Sequence, residues 1–558
     1  MKHKEEMDWF RKQQSKAQFQ RFQERPIAYF CAEYALGQKI PTYAGGLGIL
    51  AGDIVREAAD VKLPFVAIGL YYYEGYISSS EEVMKANVRT MPESVGFLPV
   101  LDEKGERLSI SVPIQDHEIV VQAWEFRQGE NSVYMLDTNV EENTELDRKI
   151  TDQLYVGDNE IRLKQEIILG IGGLRLLEAL KIHPSVYHLN EGHSAILMFE
   201  LIRHEMEERK LSFDEAKQFA KRRVVFTNHT LVTAGNEVYS GDLVSLLLAK
   251  YAQQIKVPIS KLVKLGLVQQ SSMFSMTMLL LRTAGIVSAV SKLHSKKALE
   301  IWPDYPMIGI TNGVHVKTWN KIDTDVSEPG AFWNIHQKKK IELLAFINDK
   351  SGVEWGKDDL LIGWARRFVT YKRPLAVLDN VSRFKKIAQN TDKPVRLVIA
   401  GIPHFDDEEG LAMLEKLKSL IEGELAGSVV YMPEYSMDIA KMLVSGCDVW
   451  LNTPIVGFEA CGTSGMKAAI NGVLQFSTED GWIDEIELSK VGWSIDNDNV
   501  TESILDIVER DIAPMYYDRD SSGMPKLWEE RMRNARTIVM NQFCATRTLR
   551  EYVEMLYL

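Results

Sequence analysis

Short apolar runs of β type alternate with helical stretches along most of this chain, and that alternation limits the folds open to it. PIAYFCAEY (26–34) is followed by a glycine-rich turn and then by the helical DIVREAADV. Later runs are VVFTNH (224–229), LLIGWA (360–365), VRLVIAG (395–401), SVVYMP (428–433) and DVWLNT (448–453). Strands separated by helices predict parallel sheets with helices packed on them. A polar segment, HQKKKIELLAFINDKSGVEWGKDD (336–359), divides the runs into two series. At 558 residues the chain is too long for one core. Two doubly wound domains are therefore expected, over 1–345 and 346–525. The tail 526–558, rich in Glu, Arg, Met and Leu, reads as helix that can pack back on the first domain. Ligands of such folds lie at the carboxyl ends of the strands.

Composition excludes several classes. A formal charge of −13 argues against a broad grip on nucleic acid, which needs an excess of Lys and Arg facing phosphates. An anionic substrate would need a local basic pocket. The start, MKHKEEMDWFRKQQ, lacks the apolar core of a secretory leader, so a cytoplasmic protein is expected. The most apolar stretch, Phe274 to Val290, is broken by Ser275, Thr277, Arg282 and Thr283, and suits a packed helix better than a membrane span. The four cysteines, Cys31, Cys447, Cys461 and Cys544, show no zinc or disulfide spacing and read as buried thiols. No internal repeat or low-complexity tract is visible.

Four stretches could carry chemistry. In YAGGLGILAGD (43–53), Gly45, Gly46 and Gly48 let the backbone approach a ligand, and amides there could hold an oxyanion; tight packing alone is the ordinary alternative. GWARRFVTYKRPL (363–375) gathers Arg366, Arg367, Lys372 and Arg373 at a strand end, where Arg suits bidentate phosphate binding and Lys point neutralisation. In isolation such a cluster is usually a solvated helix start. FEACGTSGMKAAINGVL (458–474) carries Lys467 among Gly, Met and Ala, where desolvation would suit the amine to forming a Schiff base. The last group is VVFTNHT with His229, and YHLNEGHSA with Asn190 and His193. His188 and His193 lack the spacing and carboxylates of a metal site, so no metal is expected. His183 and His188 read as structural.

Taken in order, YFCAEYALGQKIPTYAGGLG, DNEIRLKQE, HLNEGHSA, TNHT, FSMTMLLLRTAGIVSAVSKLH, ITNGVHVKTW, RRFVTYKR and EACGTSGMKAAINGVL resemble the glycogen/starch (α-glucan) phosphorylase family, especially its short branch. The match runs collinearly over about residues 26–485. The resemblance implies two Rossmann-like domains facing across a cleft, a glycosyltransferase-B fold, with Lys467 anchoring pyridoxal 5′-phosphate. It implies phosphorolysis of terminal α-1,4-linked glucose from an α-glucan or maltodextrin to α-glucose 1-phosphate, with retention. Arg367 and Lys372 would clamp the substrate phosphate with the Gly46 amide. Arg366, Thr463 and Ser464 would hold the cofactor phosphate, and Tyr435 would lie near the cofactor. Asn312, Glu459, Ala460, Cys461 and Gly462 would meet sugar hydroxyls, and His229 would face the sugar being cleaved. Inorganic phosphate and glucan are the partners implied; a homo-oligomer is left open.

Some positions depart from that pattern. Ile455 and Val456 stand where the short branch usually carries arginines, Ile402 and Pro403 follow VIAG where a lysine is usual, and Cys461 replaces a serine. Sugar specificity therefore stays open. The chain also lacks room for a regulatory extension, so control by phosphorylation or nucleotides is not expected. A nucleotide-sugar glucosyltransferase of the synthase type is disfavoured by Ala44, where those enzymes carry lysine, and by the presence of Lys467. An inactive glucan-binding homologue is disfavoured because Lys467, Arg367 and Lys372 are all present.

Overall fold

A computed structural model describes residues 2–75, 89–231, 237–322, 326, 328–404, 407–433 and 435–558. The chain forms two compact units. One comprises the described residues from His3 to Thr311 together with Ala545–Leu558; the other comprises Asn312–Cys544.

The first unit holds β1 (Ile27–Phe30), β2 (Phe65–Leu70), β3 (Leu98–Pro99), β4 (Ser109–Ile114), β5 (His117–Gln128) and β6 (Asn131–Asp137). It continues with β7 (Val186–Asn190), β8 (Val224–Asn228), β9 (Val238–Ser240), β10 (Met273–Ser275), β11 (Ile286–Ala289) and β12 (Ile308–Gly309). Its main sheet runs β12–β11–β8–β7–β1–β2–β6 with every neighbour parallel, then extends through antiparallel β5 to β3, with β4 also on β5. β9 and β10 form a separate antiparallel pair. Strands β1, β2, β7 and β8 are buried at every position, as expected of parallel strands covered on both faces. The first strand lies inside the sheet, between β2 and β7. There the winding reverses, which opens a crevice beyond the carboxyl ends of β1 and β7.

The second unit repeats this plan. Strands β13 (Leu360–Ala365), β14 (Val395–Ala400), β15 (Val429–Met432), β16 (Val449–Asn452), β17 (Leu474–Ser477) and β18 (Gly492–Ser494) run in the order β15–β14–β13–β16–β17–β18. All pairs are parallel, the doubly wound order 3-2-1-4-5-6. Its reversal lies between β13 and β16, whose exits carry Arg366 and Thr453.

The chain passes from one unit to the other at Thr311/Asn312, ahead of the bridge read near residue 345. The reason lies in the helix Ala331–Ser351, which packs on the helix Met437–Gly446 of the second unit. A Cβ at Gly446 would come within 2.8 Å of Leu343 Cβ, so glycine permits the close approach. The same helix supplies Lys340 to a buried network. Lys340 Nζ donates to Asp448 Oδ2 at 2.5 Å, to Tyr516 Oη at 2.7 Å and to the Asp359 carbonyl, while His336 Nε2 lies 2.9 Å from Asp448 Oδ1.

The tail read as one helix is two. Lys526–Gln542 belongs to the second unit, where Glu529 accepts from the amides of Gly330 and Phe332. Ala545–Tyr552 and the residues after it complete the first unit. Thr546 Oγ1 donates to Glu57 Oε1 at 2.7 Å. His188, in the middle of β7, lies 2.6 Å from both Tyr557 Oη and Thr227 Oγ1. Burial pushes its imidazole down to about 3, so it is a neutral structural link.

Among the described residues no helix is long and apolar enough to cross a membrane, and no group of three metal-binding side chains is found.

Removing the ammonium from the buried network leaves the Asp448 carboxylate without its main counter-charge. Lys340→Met should therefore lower the unfolding free energy of the second unit by about 3–5 kcal/mol, read from urea titrations of far-ultraviolet circular dichroism.

Candidate active site

In the second unit the exit of β13 leads directly into the basic stretch. Arg366 N donates to the Ala400 carbonyl at 3.1 Å, so this residue still belongs to the sheet. Beside it Gly401 adopts φ +116, and a Cβ there would stand 1.9 Å from the Arg366 carbonyl oxygen. Only glycine allows β14 to leave the sheet past Arg366. The Arg366 guanidinium is buried; its Nη2 lies 2.7 Å from Glu459 Oε2, and its Nη1 has no hydrogen-bond partner. Arg367, next along, is exposed. Lys372 ends a short turn, Thr370–Lys372, and is half-buried.

Arg373 belongs elsewhere. It takes a left-handed conformation, φ 46, and its guanidinium donates to the carbonyls of Thr453, Pro454 and Asn497 at 2.8, 2.7 and 2.9 Å. The fourth cation of the sequence cluster thus ties the exits of β13 and β16 together. The Thr453 hydroxyl adds a bond to the Lys372 carbonyl at 2.8 Å.

Electrostatics define the remaining set. Burial pushes the Lys372 ammonium down to about 7, and repulsion by Arg366 and Arg367 adds to this, against the pull of Glu459. Glu459 loses by burial but is held below its ordinary range by Arg366 and Lys372. Three cations face one carboxylate, and the protein leaves a buried guanidinium nitrogen unsatisfied. Such a donor set fits a phosphate group.

Glu459 stands on a loop fixed by Asp480, a residue the sequence reading missed. Asp480 Oδ2 accepts from the amides of Gly457 and Glu459, both at 2.9 Å, and Oδ1 from Gly481 at 2.8 Å. Burial raises this carboxyl to about 6, against those amide bonds. Its only sequence signal is an Asp-Gly pair that begins three residues past the end of β17.

The loop continues through Ala460 and the buried Cys461 to Gly462, which at φ +81 opens the helix Thr463–Ala469. Thr463, Ser464 and Lys467 share this helix; Ser464 Oγ accepts from the Trp450 indole at 3.4 Å. Lys467 is buried, 8% exposed, with its ammonium 4.4 Å from the centre of the Trp319 ring. Asn471 holds that arrangement, donating to the carbonyls of Lys467 and Trp319, both at 2.9 Å, and accepting from Lys321 N. Asn312 is buried in the same unit, and Tyr435 is half-buried after β15. The structure brings together Arg366, Arg367, Lys372 and Glu459 as one charged set.

In the first unit the reversal point is rich in carboxylates. Glu33, past the end of β1, accepts from the amides of Ala44 and Gly45 at 2.8 and 3.1 Å and from Tyr155 Oη at 2.7 Å. The Gly45 amide is therefore engaged within the protein, whereas Gly46, at the start of the helix Gly46–Asp60, has open space beside its Cα. Gly48 serves packing: a Cβ would lie 2.6 Å from Tyr43 Cβ.

Glu191, following β7, adopts φ 76 and ψ 174, a region other residues rarely visit. Its carboxylate accepts from Gly192 N at 3.1 Å and His229 N at 2.8 Å, which holds the strained backbone in place. Burial raises this carboxyl to about 8. His229 Nε2 is bonded to Asn190 Oδ1, and burial, with nearby His294, His188 and His193, pushes its imidazole down to about 3. His229 is thus a neutral group. His193 behaves oppositely: burial opposes its charge, but Glu237, 3.2 Å away, raises it to about 9. Glu33, Glu191 and Glu237 were missed in the sequence, where nothing but proximity to a strand end or a glycine marks them.

The depressed Lys372 makes a testable link between anion binding and protons. Near pH 8 the Lys372 side chain is largely the neutral amine, and binding of a dianion draws a proton onto it. Sulfate, which does not titrate in this range, should bind with proton uptake and should weaken from pH 7 to about 9. Calorimetry in buffers of different ionisation enthalpy reads the uptake, and Lys372→Met should abolish it.

Comparison with known proteins points to one family. The sequence profile described as carbohydrate phosphorylase matches residues 125–319 and 310–499. A maltodextrin phosphorylase of Thermococcus litoralis is 36% identical, over 96% of this chain and 70% of that protein. A glycogen phosphorylase of Aquifex aeolicus is 31% identical, over 96% and 86%. An uncharacterised protein of Methanocaldococcus jannaschii is 30% identical, over 96% of this chain and 100% of its own. The fold class, two doubly wound α/β units of glycosyltransferase-B type, accords with these matches. With most of its length matched by the family profile and by relatives it largely spans, the chain belongs to the carbohydrate phosphorylase family.

Proposed function

We propose that this protein is an α-glucan phosphorylase that transfers the terminal α-1,4-linked glucose of a glucan or maltodextrin to inorganic phosphate. The observation that carries the reading is the charged set at the exit of β13: Arg366, Arg367 and Lys372 against the single carboxylate of Glu459, with Arg366 Nη1 unsatisfied. A nucleophilic phosphate dianion is what such a set would hold. The names of the relatives, maltodextrin and glycogen phosphorylase, support the substrate class.

In this reading Arg367 and Lys372 hold the substrate phosphate, with the Gly46 amide as a further donor. Arg366, Thr463 and Ser464 hold the phosphate of pyridoxal 5′-phosphate, with Lys467 as its anchor and Tyr435 beside it. The buried setting of Lys467, against Trp319 and among Gly465, Met466 and Ala468, fits that role. When bound, the cofactor supplies a phosphate group that exchanges a proton with the substrate phosphate. Two phosphates held close together repel, and the three cations offset that repulsion. Lys372 becomes fully charged as the dianion arrives, so the clamp strengthens with occupancy.

Glu459 accepts from sugar hydroxyls, aided by backbone groups of Ala460, Cys461 and Gly462 and by Asn312. His229, held neutral, contributes hydrogen bonding to the reacting glucose without repelling positive charge at its anomeric carbon. The clamped phosphate would give its proton to the glycosidic oxygen, so that the shortened glucan leaves as an alcohol, and would then attack the oxocarbenium-like anomeric carbon on the same face. The α configuration is kept without a second carboxylate. The four cysteines are buried and none is in a disulfide, in keeping with action in a reducing cytoplasm.

Purified protein incubated with maltodextrin and phosphate should release α-glucose 1-phosphate. Lys372→Ala should retain the near-ultraviolet chromophore of the cofactor yet lose about a hundred- to a thousandfold in kcat/KM. Unchanged turnover would remove Lys372 from the clamp. Borohydride treatment followed by peptide mass analysis should place the reduced cofactor on Lys467; folded protein with no chromophore and no modified Lys467 peptide would end the cofactor assignment.

A further inference from the structure

Beside the charged set lies apolar surface on a loop that is held firmly. Val456 and Phe458 are 40% and 50% exposed. Yet every backbone N–H from Ile455 to Glu459 donates a hydrogen bond. Ile455 donates to the Tyr371 carbonyl at 2.8 Å, Val456 to Asn497 Oδ1 at 3.2 Å, and Phe458 to the Ile455 carbonyl at 3.1 Å. Gly457 and Glu459 donate to Asp480. A large apolar ring on a loop fixed at each residue is not a by-product of chain mobility.

The ring is also oriented. Phe458 lies nearly parallel to Tyr371, with ring centres 6.1 Å apart and planes inclined by 29°. Tyr371 is the inner member of the pair. It is half-buried, and the Lys372 ammonium stands 5.5 Å from its centre. Its phenol is raised to about 12, by burial first and then by Glu459, with Arg366 and Arg367 acting against them. The two rings therefore form a step that leads outward from the charged set.

We propose that the exposed face of Phe458, backed by Tyr371, is a stacking platform for a pyranose ring of the glucan, outward of the ring held at Glu459. This rests on the function proposed above and extends it to a residue that determines saccharide affinity. A pyranose presents C–H groups on one face and hydroxyls around its rim, so it can cover an aromatic ring while its hydroxyls keep water or carboxylate partners. The neighbouring Glu459 suits that rim. Val456, exposed beside Phe458, adds apolar edge, so the contact suits ring surface rather than an anion.

The test uses the intact, cofactor-loaded enzyme. Phe458→Ala should raise the maltodextrin KM, and the maltodextrin Kd from calorimetry, about tenfold, while the phosphate KM moves less than about twofold. Phe458→Trp should restore the maltodextrin affinity, which a merely structural role for the ring would not predict. Matching cofactor content and phosphate KM of the two variants check that the neighbouring charged set is intact. An active wild type whose Phe458→Ala variant binds maltodextrin equally well would overturn the platform alone. A wild type with no phosphorolysis of maltodextrin would instead overturn the functional reading. Tighter binding of ADP-glucose than of maltodextrin, lost in Phe458→Ala, would assign the ring to a nucleobase and also overturn the proposal.

Discussion

Crowding of like charge at the exit of β13 is the constraint on which the second unit turns. Arg366, Arg367 and Lys372 repel one another, and Glu459 compensates only in part. Left to itself such a set would splay into water. Its neighbourhood prevents that through features with no charge relation to a ligand: Gly401 lets β14 pass, Arg373 binds three carbonyls across the sheet's reversal, and Asp480 fixes the loop of Glu459. The energy of confinement is supplied by the fold, and a bound anion returns part of it.

The first unit uses a related topology for a different electrostatic end. Its reversal point gathers carboxylates, but Glu33 and Glu191 turn theirs onto backbone amides, and Glu237 is matched by His193 and Arg162 at 3.2 and 2.7 Å. What results is a set of fixed hydrogen-bonding groups around a neutral imidazole, His229. The strained backbone of Glu191 is the local expense of that arrangement, and it persists because two amides hold its carboxylate.

Strands buried on both faces read as unbroken apolar runs, so β1, β8, β13, β14, β15 and β16 could be found in the sequence. The basic stretch could be weighed because it follows one of them. The antiparallel extension β3–β5 is hard to anticipate, because β4 is buried only over its second half, much of β5 is half-buried, and no helix separates the strands. Arg373 was misgrouped for a physical reason: its left-handed backbone and its partners Thr453, Pro454 and Asn497, distant in sequence, turn it away from Lys372. Likewise, nothing in YAGGLG shows that Glu33 already occupies the Gly45 amide. The unit boundary is hard to place because a long helix with several lysines and no clear apolar stripe resembles a linker until Lys340 is seen to meet Asp448 inside the core.

The course of the chain has a bearing on its birth. Ala545–Leu558 closes the first unit, placing Tyr557 against His188 and Thr546 against Glu57, although the rest of that unit is specified before Asn312. In topological terms the second unit is an insertion. A ribosome emits the first unit's sheet early but withholds the segment that completes its core until the whole second unit has been made. The nascent first unit must therefore wait, incompletely packed, while the inserted unit has its whole sequence available to fold.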